Sequence, residues 1–221
     1  MKTVGMSAAC VKIHRTPMSA ETGTPPKRRY EKRARAAQEQ ATRMRIVESA
    51  LALHGTVGPA RTTISAIAER ADVRRATVYR HFPDERALLL GCSGTWRDRN
   101  PPPDPGAWAA EADPEVRLQM ALDAIYGWYE RVEPMLTAVL RDAETMPIIA
   151  EIQQQGRLAY LGAVEDILAS GWGARGRAAR RVRATIGLAL DFLAWRGLHE
   201  RGLDRADAVA VMASAVRAAA G

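Results

Sequence analysis

Hydrophobic residues recur at helical spacing along most of the chain, and no stretch alternates apolar and polar residues as a strand does. A first helix is expected over residues 30–54, with Arg43, Arg45 and Glu48 facing solvent and with an apolar stripe at Ala37, Ala41, Met44, Val47, Leu51 and His54. Gly55 and Gly58 follow the stripe and end the helix. The pattern predicts an all-α fold.

Two short helical patterns lie between residues 62 and 90, separated by a break of three residues. Thr62 or Thr63 is the expected cap of the first. Asp72 lies at the break, where the backbone often turns left-handed and Asp is a tolerated substitute for Gly. Asp84 can cap a fourth helix that runs to about residue 96. Because two helices joined by so short a turn can place the second in the DNA major groove, the segment predicts DNA binding.

The segment from Arg97 to Gly106 carries four prolines in ten residues and cannot be helical throughout. It divides the chain into a tail (1–29), a helix-turn-helix domain with a connecting helix (30–98) and a helical carboxy-terminal domain (107–221). Four or five helices are expected in the last part. One opens at Pro114, another begins or kinks at Pro134, a third runs from Pro147 to about residue 170, and a long helix covers about 177–200. Asp204 caps a final helix.

Charge separates the two halves of the chain. Residues 1–100 hold 19 Lys and Arg against 9 Asp and Glu, whereas residues 101–221 hold 13 against 16. A basic front half fits a polyanion-binding module. The tail is expected to be disordered, and it is either an arm that tracks phosphates or a solubilising extension.

Several classes of protein do not fit the sequence. Cys10 and Cys92 do not predict a disulfide, so a reducing cytoplasm is expected. No apolar run reaches the ~18 residues of a membrane span, and no signal peptide is recognisable. The four histidines show no metal-ligand spacing and no nucleophile lies near a base. We therefore predict no metal, cofactor or catalytic residue.

The run Thr77-Val78-Tyr79-Arg80-His81-Phe82, followed by Ala87-Leu88-Leu89, resembles the amino-terminal domain of TetR-family transcriptional regulators. Thr63-Ile64, Ile67-Ala68 and Ala71-Asp72-Val73 extend the resemblance, which covers about residues 38–98. The chain departs from the family pattern at Asp72, where Gly is usual, at Arg74, where a Ser or Thr cap is usual, and at Glu85, where a Lys reaches phosphate. The resemblance implies a ligand-responsive regulator, most often a repressor, that binds a palindromic double-stranded operator as a homodimer.

The second helix of the pair carries the expected DNA contacts. Val78 and Phe82 point inward, so the outward face presents Arg74, Arg75, Ala76, Thr77, Tyr79 and Arg80. Arginine suits guanine edges, and Thr and Ala methyls suit thymine. The resemblance further implies that Thr63, Tyr79 and His81 contact phosphates. Arg86 is a possible substitute for the lysine missing at position 85.

The carboxy-terminal half is rich in aromatic residues. The helix from Pro114 is apolar on two sides, one with Leu118, Leu122 and Ile125 and the other with Met120, Ala124 and Trp128, which suits a position between a core and a cavity. The resemblance implies a small hydrophobic or aromatic ligand there. The candidate ligand-binding residues are Gln119, Asp123, Trp128, Met135, Tyr160, Asp191 and Trp195. For each aromatic residue the alternative is plain core packing. Rival functions for this half are binding of a protein partner and, in another class, a small helical enzyme.

The last two predicted helices are the candidates for a dimer interface. Their apolar faces carry Ile186, Leu190, Leu193, Val209, Met212 and Val216. A four-helix bundle from two chains would bury both faces. The alternative is that the two faces pack on their own subunit.

Overall fold

The structure is a computed structural model that describes residues 27–221. The chain divides into two compact units, residues 1–40 and residues 41–221. In the first unit the described part is the helical segment 27–40, in which Arg35 and Glu39 form an exposed ion pair at 3.3 Å. The tail expected over 1–29 lies outside the described residues, apart from its last three, which begin the first helix.

The described residues are helical and contain no strand, which confirms the all-α prediction. The helices are α1 Lys27–His54, α2 Ile64–Arg70, α3 Arg75–His81, α4 Glu85–Arg99, α5 Gly106–Ala109, α6 Pro114–Ala143, α7 Pro147–Gln153, α8 Ala159–Leu168, α9 Gly176–Ala189, α10 Phe192–His199 and α11 Arg205–Ala220. A 3₁₀ turn covers Pro59–Arg61, and a π-helical turn covers Gln154–Leu158. Across residues 27–221 no helix is both long and apolar enough to cross a membrane. The predicted division into a tail, a helix-turn-helix domain and a carboxy-terminal domain is not tested by these elements and stays a prediction.

A small core joins the second half of α1 to α2, α3 and α4. Its fully buried members include Ile46, Ala50, Ile67, Val78 and Phe82. The inward face of α1 matches the expected stripe only in part, since Val47 and His54 are buried but Ala37 and Ala41 are exposed. The expectation that Arg43 faces solvent is also wrong, because its guanidinium lies 4.0 Å from the centre of the Phe82 ring.

Helix α6 is the central element of the larger core. Leu118, Leu122, Ile125, Tyr126 and Tyr129 are all fully buried, which confirms its central position. On the second apolar side Trp128 is buried, but Met120 is exposed.

The helix also continues through Pro134, so of the two alternatives predicted there, a helix start or a kink, the start is wrong. Pro134 cannot donate to the carbonyl of Glu130, four residues earlier, and both residues lie on the exposed side, where water can bond that carbonyl.

The long helix predicted over 177–200 is two helices, α9 and α10, with the break at Leu190 and Asp191. Asp191 Oδ1 accepts from the N–H groups of Leu193 at 2.8 Å and Ala194 at 3.0 Å, so it caps α10. The hydroxyl of Tyr126 donates to Ala189 O at 2.8 Å, and that of Tyr129 donates to Leu190 O at 2.6 Å. These bonds satisfy carbonyls that the break leaves without helical partners.

Candidate DNA interface and internal cavity

The turn between α2 and α3 adopts the backbone expected of a helix-turn-helix. Asp72 has φ of 51°, and it is the one non-glycine residue with positive φ in the described chain. The N–H of Val73 donates to Ala68 O at 2.9 Å, and that of Asp72 donates to Glu69 O at 3.1 Å. This pair of bonds is a Schellman motif, which ends α2 and redirects the chain into α3. The left-handed conformation predicted at Asp72 is confirmed.

Helix α3 and the residue that follows it are closely packed against α1 and α4. Arg43 Nη1 donates to His81 O at 3.2 Å, where a cation is favoured at the carboxy-terminal end of a helix. Gly91 of α4 lies against Phe82, and a Cβ there would approach the ring to 2.9 Å. The absence of a side chain at Gly91 thus lets α4 support α3 at close range.

The outward face of α3 is basic and open. Val78 is fully buried, whereas Arg74, Arg75, Ala76, Tyr79 and Arg80 are exposed and Thr77 is half-buried. Within residues 41–221 no carboxylate forms an ion pair with the arginines at 74, 75 or 80. Arg45, which the sequence did not single out for DNA contact, borders the same open groove as Arg74 and Arg80. Such a face can meet a phosphate backbone without first breaking internal ion pairs.

Residues flanking α3 have more specific positions. Thr63 Oγ1 accepts from Ala66 N–H at 3.1 Å and so caps α2, while its hydroxyl hydrogen stays available to a phosphate. Asp84 Oδ1 accepts from Ala87 N–H at 2.7 Å, which confirms it as the cap of α4. Arg86 instead makes two bonds to the Glu151 carboxylate, at 2.6 and 2.8 Å. This fork pair holds Arg86 against α7 and does not support the substitution for the missing lysine.

A buried carboxylate links the α1–α2 connection to the end of α6. Asp142 accepts from the Ala60 N–H at 2.8 Å and from Arg141 Nε at 2.8 Å, while Arg141 Nη2 donates to Val57 O at 2.9 Å. Burial acts to raise the pKa of Asp142, but the Arg141 and Ala60 bonds prevail and hold it below its ordinary value. Gly58, at φ of 92°, passes so close that a Cβ would overlap the side chains of Arg141 and Asp142.

Two titratable groups are buried beside this junction. Burial lowers the pKa of His54 to about 4, although the Asp142 carboxylate acts in the opposite direction. Burial raises the pKa of the Cys92 thiol to about 12, against the influence of Arg43. The first group is therefore a neutral imidazole at neutral pH, and the second is an unreactive core thiol.

Two adjoining cavities lie among α4, α6 and the α7–α8 segment. The inner cavity, of about 60 Å³, is mostly apolar and is reached by Leu51, His54 and Pro59 from the α1 side. The outer cavity, of about 410 Å³, is bordered by Trp96, Arg97, Trp128, Arg157 and Tyr160, among others. The two share the lining residues Ser93, Trp96, Leu136, Ile152 and Gln153. The outer volume lies in the range of small-ligand pockets, ~300–1,000 Å³.

The structure brings together three of the seven candidate ligand residues. Trp128 and Tyr160 line the outer cavity and Met135 lines the inner one. Gln119 bonds Glu115 on the surface and Asp123 pairs with Arg205 at 3.3 Å. The remaining two lie elsewhere, since Asp191 caps α10 and Trp195 is buried among Tyr126, Tyr129 and Phe192. Arg97 and Arg157 were missed by sequence reasoning, because neither has an apolar spacing or motif that would mark it.

The candidate dimer residues are mostly inside their own subunit. Ile186, Leu190, Val209, Met212 and Val216 are buried in the single chain, whereas Leu193 is 59 % exposed. Leu188, at the end of α9, is 56 % exposed and was not singled out. The apolar surface open to a partner therefore flanks the α9–α10 break.

The left-handed turn, the exposed arginine face and the supporting core are the structural features of a helix-turn-helix. The family model described as "Bacterial regulatory proteins, tetR family" matches residues 46–92. This segment, which runs from the second half of α1 into α4, is therefore similar to that family. In the described part of the chain, no three His, Cys, Asp or Glu residues are grouped so that they could hold a metal ion.

Relatives and solved structures extend the likeness beyond the matched segment. The HTH-type transcriptional repressor KstR of Rhodococcus jostii is 31 % identical over 129 residues, covering 54 % of this chain and 57 % of that protein. The chain thus spans less than two thirds of this curated relative. A TetR-like regulator from Rhodococcus sp. RHA1 has a TM-score of 0.55 at 15 % identity, covering 79 % and 93 % of the two chains. FadR from Bacillus subtilis, solved with stearoyl-CoA, has a TM-score of 0.54 at 17 % identity, covering 80 % and 97 %. The two structures support the fold.

Proposed function

We propose that the protein is a transcriptional repressor that binds an operator as a homodimer and leaves it when a small ligand occupies the cavity. The observation that carries the DNA-binding part is the exposed face of α3, with Arg74, Arg75 and Arg80 outside any ion pair among the described residues. Arg75 is at the start of the helix, the end that usually approaches base edges. The face combines a cationic surface for phosphates with side chains that can read bases.

The ligand-responsive part is supported by the position of the cavities. Leu51, His54 and Pro59, next to the DNA-binding core, form one end of the inner cavity. The outer cavity continues from it towards α8 and is large enough for a small molecule. A ligand that fills both spaces would contact the helix that carries the DNA-binding core, and it can favour one orientation of that core over another. FadR from Bacillus subtilis, which shares the fold, was solved with stearoyl-CoA.

A dimer is required because one recognition helix reads too few base pairs. Two-fold pairing would present two α3 helices about one DNA turn apart, roughly 34–36 Å. Leu188 and Leu193 are the exposed apolar residues that support pairing through the α9–α10 region. Ile186 and Val216 are buried within the subunit and are not open to a partner.

Selection from a random double-stranded DNA library tests the proposal and requires no operator sequence at the start. We expect enrichment of a sequence with two inverted half-sites, bound by the purified full chain. Arg75→Ala should weaken binding to that sequence by about 1–3 kcal/mol, roughly five- to 150-fold, and relax its preference at one base position. Arg180→Ala, which removes an exposed arginine of α9, is the matched control and should leave the affinity in place.

Either of two results would reject the DNA-binding assignment. If no sequence is enriched, or if Arg75→Ala and Arg180→Ala change affinity equally, the α3 face is not the DNA-reading surface. Tyr79→Phe separates phosphate contact from base reading, since it should weaken all sequences alike.

A further inference from the structure

Some of the hydrogen-bond donors that border the outer cavity already have acceptors, and others do not. Trp128 Nε1 donates to Asn100 O at 3.2 Å, and Tyr160 Oη donates to Pro103 O at 2.9 Å. Asn100 Nδ2 in turn donates to Trp96 O at 2.9 Å. These three donors already have acceptors and are not open to a ligand.

Arg157 is the exception. Its Nε donates to Gln153 Oε1 at 3.1 Å and its guanidinium also interacts with the Tyr129 hydroxyl, but its Nη1 is buried without a hydrogen-bond partner. A buried guanidinium nitrogen without an acceptor is costly, and native proteins rarely leave one without a reason. The residue lies in the π-helical turn between α7 and α8, a distortion that is often found at functional sites.

A second arginine lies on the same wall. The guanidinium of Arg97, at the end of α4, approaches Gly156 so closely that a Cβ there would stand 3.4 Å from Nη1. Gly156 is the chain neighbour of Arg157, and both arginines border the outer cavity. Among the described lining residues there is no Asp or Glu, and the nearby Glu151 carboxylate is held by Arg86 at 2.6 Å. Neither arginine thus has a carboxylate partner among the described lining residues. Burial and, in addition, the Asp104 carboxylate raise the pKa of the Tyr160 hydroxyl, so one carboxylate does lie near the lining.

The part of the cavity that lies away from the two arginines is mostly apolar. From the two arginines the outer cavity passes Trp96, Trp128 and Leu136 and continues into the inner cavity, which ends at Leu51 and Pro59. The polarity of the space thus changes from cationic at one end to hydrocarbon at the other. A ligand that satisfies both ends has a negative headgroup and an extended apolar body.

We propose that the cavity binds an anionic amphiphile, with its carboxylate or phosphate headgroup on Arg157 and Arg97 and its apolar chain directed towards α1. The headgroup accepts from Arg157 Nη1, and the apolar chain covers the faces of Trp96 and Trp128. This assignment rests on the proposed ligand response for its biological meaning, but not for its test, because binding is measured without DNA.

Isothermal titration of the full chain with three probes of equal chain length tests the charge requirement. The probes are dodecanoate, dodecyl phosphate and dodecan-1-ol, each below its aggregation concentration. We expect at least one anion to bind ten or more times tighter than the alcohol. The anion that binds tighter identifies the headgroup. Binding of the alcohol as tightly as both anions, or binding of none of the three, overturns the proposal.

Variants locate the headgroup. Arg157→Gln should weaken the anion at least tenfold and leave the alcohol unchanged, and Arg157→Lys should recover part of the loss because it restores the charge. Arg97→Gln should weaken the anion less, since Arg97 is exposed. Arg175→Gln, which removes an exposed arginine of the α8–α9 loop, is the control. Anion affinity that survives in Arg157→Gln with an unchanged melting temperature rejects the site.

The same proteins on operator DNA separate this inference from the proposed function. If the anion binds in an Arg157-dependent way but the operator complex persists, the site is real and ligand-controlled release is wrong. If the operator is bound but no anion enters the cavity, the anionic site is wrong and the DNA-binding assignment remains.

Discussion

Replacement of His54 by Leu should flatten the dependence of stability on pH between about 7 and 5. His54 is the last residue of α1 and is 5 % exposed, and it borders the inner cavity with Leu89 and Met135. Burial lowers its pKa from 6.5 to about 4, with the Asp142 carboxylate opposing the shift. Leu has a similar volume, carries no charge and fits the apolar surroundings.

The sign of the pH dependence follows from which state, folded or unfolded, takes up the proton at the higher pH. In the unfolded chain the imidazole takes up a proton near pH 6.5, whereas in the folded chain it does so near pH 4. Between these values the unfolded state binds more protons, so the free energy of unfolding falls as the pH falls. A shift of this size at ~1.4 kcal/mol per pH unit amounts to about 3 kcal/mol at pH 4, a large part of the ~5–15 kcal/mol that stabilises a domain.

Urea unfolding at fixed protein concentration, at half-unit steps from pH 7.5 to 5.0, measures the effect. Fixed concentration matters because association adds to apparent stability. The wild type should lose about 2 kcal/mol more than His54→Leu over this range. The Asp142 carboxylate does not interfere, because its pKa lies below 3.8 and its contribution is lost only as the pH falls through that lower value. His199→Leu, which removes an exposed imidazole, is the control.

Two results would refute this reasoning. The first is equal pH slopes for the wild type and His54→Leu. The second is an NMR titration of the His54 ring with a midpoint near 6.5, which would mean that burial does not penalise the charged imidazole in the folded state.

Three further changes test other parts of the molecule. Gly58→Ala should lower the free energy of unfolding by roughly 1–3 kcal/mol, since φ is 92° and the added Cβ overlaps Arg141 and Asp142, whereas Gly94→Ala, with open space around it in α4, should not destabilise. Glu85→Lys should tighten DNA binding and steepen its salt dependence by about one phosphate contact, and an unchanged slope places the start of α4 away from the backbone. The double change Leu188→Glu and Leu193→Glu should halve the mass seen by light scattering and abolish operator binding while the helical circular dichroism remains; a wild-type monomer at micromolar concentration contradicts the dimer.

The helix-turn-helix could be predicted from the sequence because its determinants are local. Thr63 and Asp84 cap the helices that they precede, and Asp72 takes the left-handed conformation within a three-residue turn. Each of these depends on residues close by in the chain. Helix α1 is a partial failure of the same method, since its apolar stripe places Ala41 inside and Arg43 outside, and both are placed the other way.

The break between α9 and α10 could not be predicted, because it depends on distant partners. Leu190 and Asp191 stand in a helical pattern, and Asp191 alone gives no reason to choose a cap over a surface carboxylate. The hydroxyls of Tyr126 and Tyr129 that satisfy the freed carbonyls come from residues 61 to 63 positions away. The cavity arginines are similar, since Arg97 and Arg157 border one cavity only after α4 and the π-helical turn have packed.

Helix α4 contributes residues to both the core beneath α3 and the outer cavity. Near its start Leu88 is buried in the core that supports α3, and near its end Trp96 and Arg97 border the outer cavity. The stretch of helix from Leu88 to Arg97 is about 13 Å long. The anion that we propose on Arg97 would therefore contact the same helix that packs against the core beneath α3. The coupling requires only that the ligand prefer one of two orientations of α4, and its size is limited by that preference.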